Sequence, residues 1–123
     1  MTLSELTLMA ADIVTATQRK LPAELRSLAR NLPVHYEALP SDDVLAEGFP
    51  EDILGLFSGP SHGAEADPAN PTPPQIVLYL ENLWDFAEND LRAFREETRI
   101  TYLHELGHYF GWDEDELTAR GLD

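Results

Sequence analysis

The sequence predicts an α+β fold in which N-terminal helices precede a small mixed sheet, with a long helix near the C-terminus. Two patterns carry this prediction. Apolar residues recur at helical spacing near both ends of the chain, and short runs of branched and aromatic residues, bounded by proline or glycine, lie between them. With 123 residues, 43% of them hydrophobic, the chain has the length and composition of one domain with its own core. We therefore expect residues 1–123 to form a single domain.

Two helices are predicted at the start of the chain. Residues 4–20 carry apolar side chains at helical spacing, and Thr2 or Ser4 is available as the N-cap. Pro22 fits the first turn of a second helix, which we expect to end near residues 31–33.

Three strands are predicted in the middle of the chain. Residues 34–39 alternate weakly between two prolines, which is typical of an edge or half-buried strand. After an acidic, turn-like segment at 41–50, the short apolar run 53–59 predicts a second strand. Residues 75–80 give the clearest strand, since branched and aromatic residues follow one another there. The segment 59–74 is rich in glycine, proline and alanine and predicts a long loop.

The last third of the chain predicts one long helix. Residues 81–88 are compatible with a loop or a short helical turn. The helix begins at Asn89 or Asp90 and runs to Phe110, with an apolar stripe that faces the core. Gly111 is suited to the left-handed conformation that ends a helix.

Composition excludes several classes of function. The chain has 23 acidic and 8 basic residues, a formal net charge of −15, whereas binding to a nucleic-acid backbone needs clustered lysine and arginine. It has no cysteine, so any metal must be held by nitrogen and oxygen ligands. The N-terminus lacks a signal-peptide pattern, and no apolar run approaches the roughly 20 residues that span a bilayer. We expect a cytoplasmic protein without nucleic-acid or membrane partners.

The segment His104-Glu105-Leu106-Gly107-His108 is the most informative motif. Residues four apart lie on the same face of a helix, so His104 and His108 can reach one metal ion. Glu105 directly follows the first histidine, which suits a carboxylate that acts on a metal-bound water rather than on the metal. The motif therefore predicts a metal centre with two histidine ligands and a glutamate base.

A third ligand must come from outside this pair, because a catalytic zinc usually has three protein ligands and a water. If Gly111 turns the chain sharply, the residues after it can double back toward the metal. We predict Glu114, ten positions after His104, as that ligand. Asp113, Asp115 and Glu116 remain alternatives, and two histidines with a carboxylate also suit Fe, Mn or Co.

The residues that follow the motif carry a more specific resemblance. The pattern H-E-x-x-H-x-x-G-x-x followed by a ligand resembles the extended zinc signature of metzincins, with Glu114 where they have a third histidine. From Ile76 to Leu117 the chain resembles the minimal zincin-like metallopeptidase family of bacteria, whose motif has the form H-E-x-x-H-x-x-G-x-x-D. The segments 54–59 and 76–79 also resemble strands of that family.

This resemblance implies a zincin-like fold with Zn²⁺ held by His104 and His108, and with Glu105 as the base of a metallopeptidase that hydrolyses peptide bonds. Tyr109 and Tyr102 are candidates for a second electrophile at the scissile carbonyl. The resemblance also implies that an extended peptide or protein substrate pairs with an edge strand above the motif helix, which we expect to be residues 75–80.

A second hypothesis belongs to another class of protein. A catalytically silent metal-binding or protein-interaction module would keep the same scaffold and metal but lack turnover. A chain of 123 residues offers little material for a second wall of a substrate cleft, which favours this alternative. Outside the motif, His35 is expected to be a surface or satisfied core histidine rather than a ligand, and His62 is expected to be solvated in its loop.

Overall fold

The computed structural model describes residues 1–64 and 72–121. Within these residues it has an α+β architecture with N-terminal helices, a three-stranded mixed sheet and a long helix near the C-terminus, as predicted. The helices are α1 (Leu3–Arg19), α2 (Ala23–Asn31), α3 (Asp42–Ala46), α4 (Leu80–Phe86), α5 (Leu91–Tyr109) and α6 (Glu114–Ala119). The strands are β1 (Val34–Glu37), β2 (Gly55–Ser58) and β3 (Gln75–Tyr79). No described helix is long and apolar enough to cross a membrane.

Side-chain caps define the ends of the two longest helices. The Thr2 hydroxyl accepts a hydrogen bond from Glu5 N while the Glu5 carboxylate accepts one from Thr2 N, which is a complete capping box at the start of α1. Asp90 caps α5 by accepting from Ala93 N at 2.8 Å. The predictions that Thr2 or Ser4 and Asn89 or Asp90 start these helices are therefore confirmed.

Two short helices were not predicted. Residues 41–50 contain α3, where Ser41 caps a five-residue helix, and the acidic segment after Gly111 contains α6, capped by Asp113. Both are too short to show apolar periodicity, so only their caps signal them. The segment predicted as a loop or short helical turn, 81–88, contains a short helix, α4. Of the predicted loop 59–74, residues 65–71 lie outside the described part of the chain.

The sheet has the strand order β1-β3-β2. β1 runs parallel to β3, with His35 opposite Val77, and β2 runs antiparallel to β3, with Leu56 also opposite Val77. β3 is therefore the central strand, and the expectation that residues 75–80 form an edge is wrong. Its side chains from Ile76 to Tyr79 are all buried, and a strand buried on both faces has a continuous apolar sequence rather than an alternating one. The edge strands are β1 and β2.

The core lies where α5 packs against the sheet and against α1 and α4. Helix α5 contributes a buried stripe at intervals of four residues, namely Phe94, Thr98, Tyr102 and Leu106. From α1, the Gln18 amide donates to the Tyr102 hydroxyl at 3.1 Å, which joins the two helices inside the core. This stripe determines which face of α5 remains for other contacts.

The buried phenol of Tyr102 makes stability dependent on pH. Burial raises its pKa from 10.0 to about 12. Between these values the unfolded chain loses the proton while the folded protein keeps it, so the free energy of unfolding falls as pH rises through this window. We expect wild type to lose about 2–3 kcal/mol more than Tyr102→Phe between about pH 9 and pH 12. Urea denaturation of both proteins across this range measures the difference, and parallel pH profiles would contradict it.

Candidate metal centre

The motif residues come together near the C-terminal end of α5. One ligand atom from each of His104, Glu105 and His108 lies within 4.8 Å of the others. The imidazole rings of His104 and His108 are 4.7 Å apart between centroids and nearly perpendicular. Two ring nitrogens and a carboxylate at this spacing can converge on one divalent cation.

The orientation of α5 about its own axis places these side chains away from the core. The stripe that includes Tyr102 and Leu106 faces the core, so the two histidines, both half-buried, are turned away from it. The helix ends with Phe110 as its C-cap, and Gly111 follows with a φ of 81°. This is the left-handed conformation expected at Gly111, and it reverses the chain immediately after the motif.

Glu105 is held by the sheet. Its Oε1 accepts a hydrogen bond of 3.0 Å from the backbone N–H of Phe57 in β2. Burial raises the pKa of the Glu105 carboxyl above its ordinary value, and Glu114 acts in the same direction, while His108, His104 and the Phe57 amide oppose the rise. A carboxylate whose pKa is raised is a stronger base than an ordinary one, and the backbone donor fixes its position.

The same strand presents a free edge beside the centre. Leu54 O accepts a hydrogen bond from β3, and hydrogen-bonded pairs alternate along antiparallel strands. The backbone groups of Leu56 and Ser58 therefore face β3, whereas those of Gly55 and Phe57 face the open side. The edge that lies over the motif helix belongs to β2.

Helix α6 returns toward the histidines. Glu114 Oε1 lies 3.2 Å from His104 Nε2, although the Glu114 side chain is 67% exposed. Two of its acidic neighbours have other partners: Asp113 accepts from Glu116 N at 2.9 Å as the cap of α6, and Glu116 pairs with Arg120 at 2.7 Å. Of the four acidic candidates, Glu114 is the one whose carboxylate contacts a motif histidine, His104.

The position of α6 depends on a glycine within the motif. A Cβ atom added at Gly107 would lie 2.1 Å from Leu117 Cδ2, and Leu117 is fully buried. The absence of a side chain at Gly107 therefore allows α6 to pack against α5. Arg120, whose guanidinium lies 4.0 Å over the Trp112 ring, further anchors this turn. The motif contains Gly107, but the close contact with Leu117 that requires a glycine at this position could not be predicted from the sequence.

The two tyrosines proposed as electrophiles lie in different environments. Tyr102 is fully buried and its hydroxyl is bound by Gln18, so the expectation for Tyr102 is wrong. Tyr109 is half-buried at the end of α5, where its hydroxyl lies 3.4 Å from His62 Nδ1 and its carbonyl accepts from His62 N at 2.6 Å. Tyr109 remains a prediction. His35 is exposed on the edge strand β1, as expected.

Sequence comparison agrees with this geometry. The profile of the zincin-like metallopeptidase family matches residues 29–122, which include all three strands and the metal centre. The chain belongs to the zincin-like metallopeptidase family. No curated protein is similar enough to the chain to be matched. The H-E-x-x-H cluster is a candidate metal site, since imidazole nitrogen and carboxylate oxygen suit a divalent transition metal.

The contact between Gly107 and Leu117 provides a test of how α6 is positioned. We expect Gly107→Ala to lower the free energy of unfolding by about 1–3 kcal/mol, since overpacking exceeds the gain in helix propensity. Because α6 carries Glu114, metal affinity should also fall. Urea denaturation and metal titration measure both effects.

The matched control is the double variant Gly107→Ala/Leu117→Ala. Removing the Leu117 side chain makes room for the new methyl group, so the two substitutions should cost less together than the sum of their separate effects. Strict additivity would contradict the steric explanation.

Proposed function

We propose that this protein is a zinc-dependent metallopeptidase in which His104, His108 and Glu114 hold the metal and Glu105 is the general base. The observation that carries the proposal is the convergence of His104, Glu105 and His108 within 4.8 Å in a chain that belongs to a metallopeptidase family. The function class follows from the donor chemistry together with the family, and the individual roles follow from the contacts of each side chain.

The donor set fits zinc. Two imidazoles and one carboxylate form a frequent three-ligand catalytic zinc site, which leaves a fourth position open. When bound there, Zn²⁺ supplies Lewis acidity, which lowers the pKa of water and polarises a carbonyl. We infer Glu114 as the third ligand because its carboxylate lies 3.2 Å from His104 Nε2, whereas Asp113 and Glu116 have other partners.

Glu105 would move the proton. Its carboxylate accepts the proton of the attacking water and delivers it to the departing amine. Phe57 N–H donates to one carboxylate oxygen. This hydrogen bond positions the side chain and leaves the second oxygen available to accept a proton. The same hydrogen bond aligns Glu105 with the strand along which a substrate would lie.

The substrate is proposed to be an extended peptide or an extended segment of a protein. It would add to the open edge of β2 rather than to β3, because β3 is flanked on both sides. Among the described residues, the N–H and C=O of Gly55 face this edge without a hydrogen-bond partner, which is the arrangement that strand addition uses. A peptide bound there would run beside Glu105 and over α5.

One observation favours the alternative, a metal-binding module without turnover. Glu105 accepts a hydrogen bond from Phe57 N, and a base already bound to a backbone donor could serve only to tie β2 to α5. Both hypotheses retain the metal, so they differ in what Glu105 does.

The substitution Glu105→Gln separates them. Glutamine keeps an oxygen that can accept from Phe57 N but cannot act as a base. We expect hydrolysis of a peptide library by the zinc-loaded protein to fall at least about 100-fold, the usual range for loss of a general base, with one zinc per chain retained. Equal cleavage, or none by either protein, would exclude the peptidase proposal and leave the silent module.

The third ligand is tested by Glu114→Ala, with Asp115→Ala as the matched control on the same helix. Both remove one negative charge, so the long-range electrostatic effect is shared. Zinc affinity, measured by competition with a chromophoric chelator, should fall at least about tenfold more for Glu114→Ala, since only it removes a ligand. Similar losses in the two variants would reject Glu114, and a larger loss for Asp115→Ala would assign that residue instead.

A further inference from the structure

We propose that the groove between α1 and α5 is a binding site for an amphipathic carboxylate, an aliphatic chain that ends in one carboxylate group. The groove encloses about 960 Å³, near the upper end of the range for small-molecule sites. It is separate from the metal centre, and the proposal does not depend on peptidase activity.

The floor of the groove is apolar. On one side lie Ile13 of α1 and Leu21, which follows the end of α1 by two residues. On the other side lie Leu91 and Leu103 of α5. Leu91 is 46% exposed, so an aliphatic chain that covered it would remove apolar surface from water. These side chains suit the hydrocarbon part of a ligand.

The rim of the groove is cationic. Lys20, Arg92, Arg95 and Arg99 line it together with one acidic residue, Glu96, so four of the 8 basic residues of a chain with a net charge of −15 lie beside one apolar surface. Arg99 pairs with Glu96 at 2.6 Å. Within residues 1–64 and 72–121, the structure gives no ion pair to the other three.

This arrangement opposes the stability of α5. Arg92 and Arg95 lie three residues apart and Arg95 and Arg99 four apart, spacings at which like charges repel on a helix surface. Arg92 and Arg95 also lie in the first two turns of α5, where the helix dipole disfavours cations. A carboxylate at the rim would relieve both effects, since it is attracted by the guanidinium groups and by the helix N-terminus together.

The groove and the metal centre use different faces of α5. Arg92, Arg95, Arg99 and Leu103 follow one another at spacings of three and four residues and share a face, while His104 lies roughly 100° further round the helix than Leu103. The groove is also built in part from α1 (Leu3–Arg19), which precedes the residues 29–122 matched by the family profile. The α1 side of the groove therefore lies before the matched residues, whereas its α5 side lies within them.

The acidic remainder of the surface makes the site selective. An anion is repelled by most of a protein with this net charge, so a soluble carboxylate should bind at the rim of the groove in preference to the acidic surface around it. A cationic or neutral amphiphile with the same chain lacks this attraction.

The test is calorimetric titration of the full chain, loaded with zinc, with sodium dodecanoate below its micellar concentration. Dodecyl maltoside, which carries the same chain on a neutral head, is the ligand control. We compare wild type with Arg92→Gln/Arg95→Gln and with the matched control Arg19→Gln/Arg30→Gln, which makes the same change in net charge outside the groove.

We expect one dodecanoate per chain, weakened at least about tenfold in Arg92→Gln/Arg95→Gln and less than about twofold in the control, because only the first variant loses charge-assisted hydrogen bonds. Backbone amide shifts should change at Leu91 and Leu103. Absence of saturable binding, equal binding of the maltoside, or equal weakening of both variants would overturn the proposal. Shifts confined to the amides of His104 and His108 would do so as well, since they would assign the carboxylate to the metal centre.

Discussion

The rotation of α5 about its own axis is the constraint on which the rest of the structure depends. Phe94, Thr98, Tyr102 and Leu106 are buried against the sheet and the other helices, so the helix cannot turn without exposing large apolar side chains. This packing places His104 and His108 on the remaining, half-buried face of the helix. The metal centre is thus positioned by residues that take no part in it.

Two further contacts place additional groups beside this face of α5 and complete the candidate site. Phe57 N–H binds Glu105 from the sheet side, and the close contact of Gly107 with Leu117 brings α6 back along the other side. The first contact sets the direction of the carboxylate, and the second brings Glu114 within reach of His104. The sheet, the motif helix and the returning helix therefore each contribute one part of the candidate site, all within residues 55–119.

The sequence predicted the parts of the fold that are encoded locally. Thr2, Asp90 and Gly111 act through neighbouring residues, so the starts of α1 and α5 and the end of α5 were accessible from capping and glycine patterns. The order of the strands was not accessible in this way, because whether β3 lies in the centre or at the edge depends on partners 17 or more residues away. Its unbroken apolar sequence was the available signal for a central strand, and the family resemblance outweighed it.

The candidate site likewise contains residues that could be predicted from local sequence and residues whose environment depends on distant contacts. His104, Glu105 and His108 could be assigned from helical spacing alone, since all three lie within one turn of one another. Tyr102 and Tyr109 look equivalent in the sequence, but only the packing of Gln18 against α5 shows that Tyr102 belongs to the core. That contact comes from α1, which lies before the residues that the family profile matches. In this chain α1 therefore packs against the motif helix and, with the arginines of α5, forms the groove described above, so a helix that precedes the matched residues supports the helix that carries the candidate metal centre.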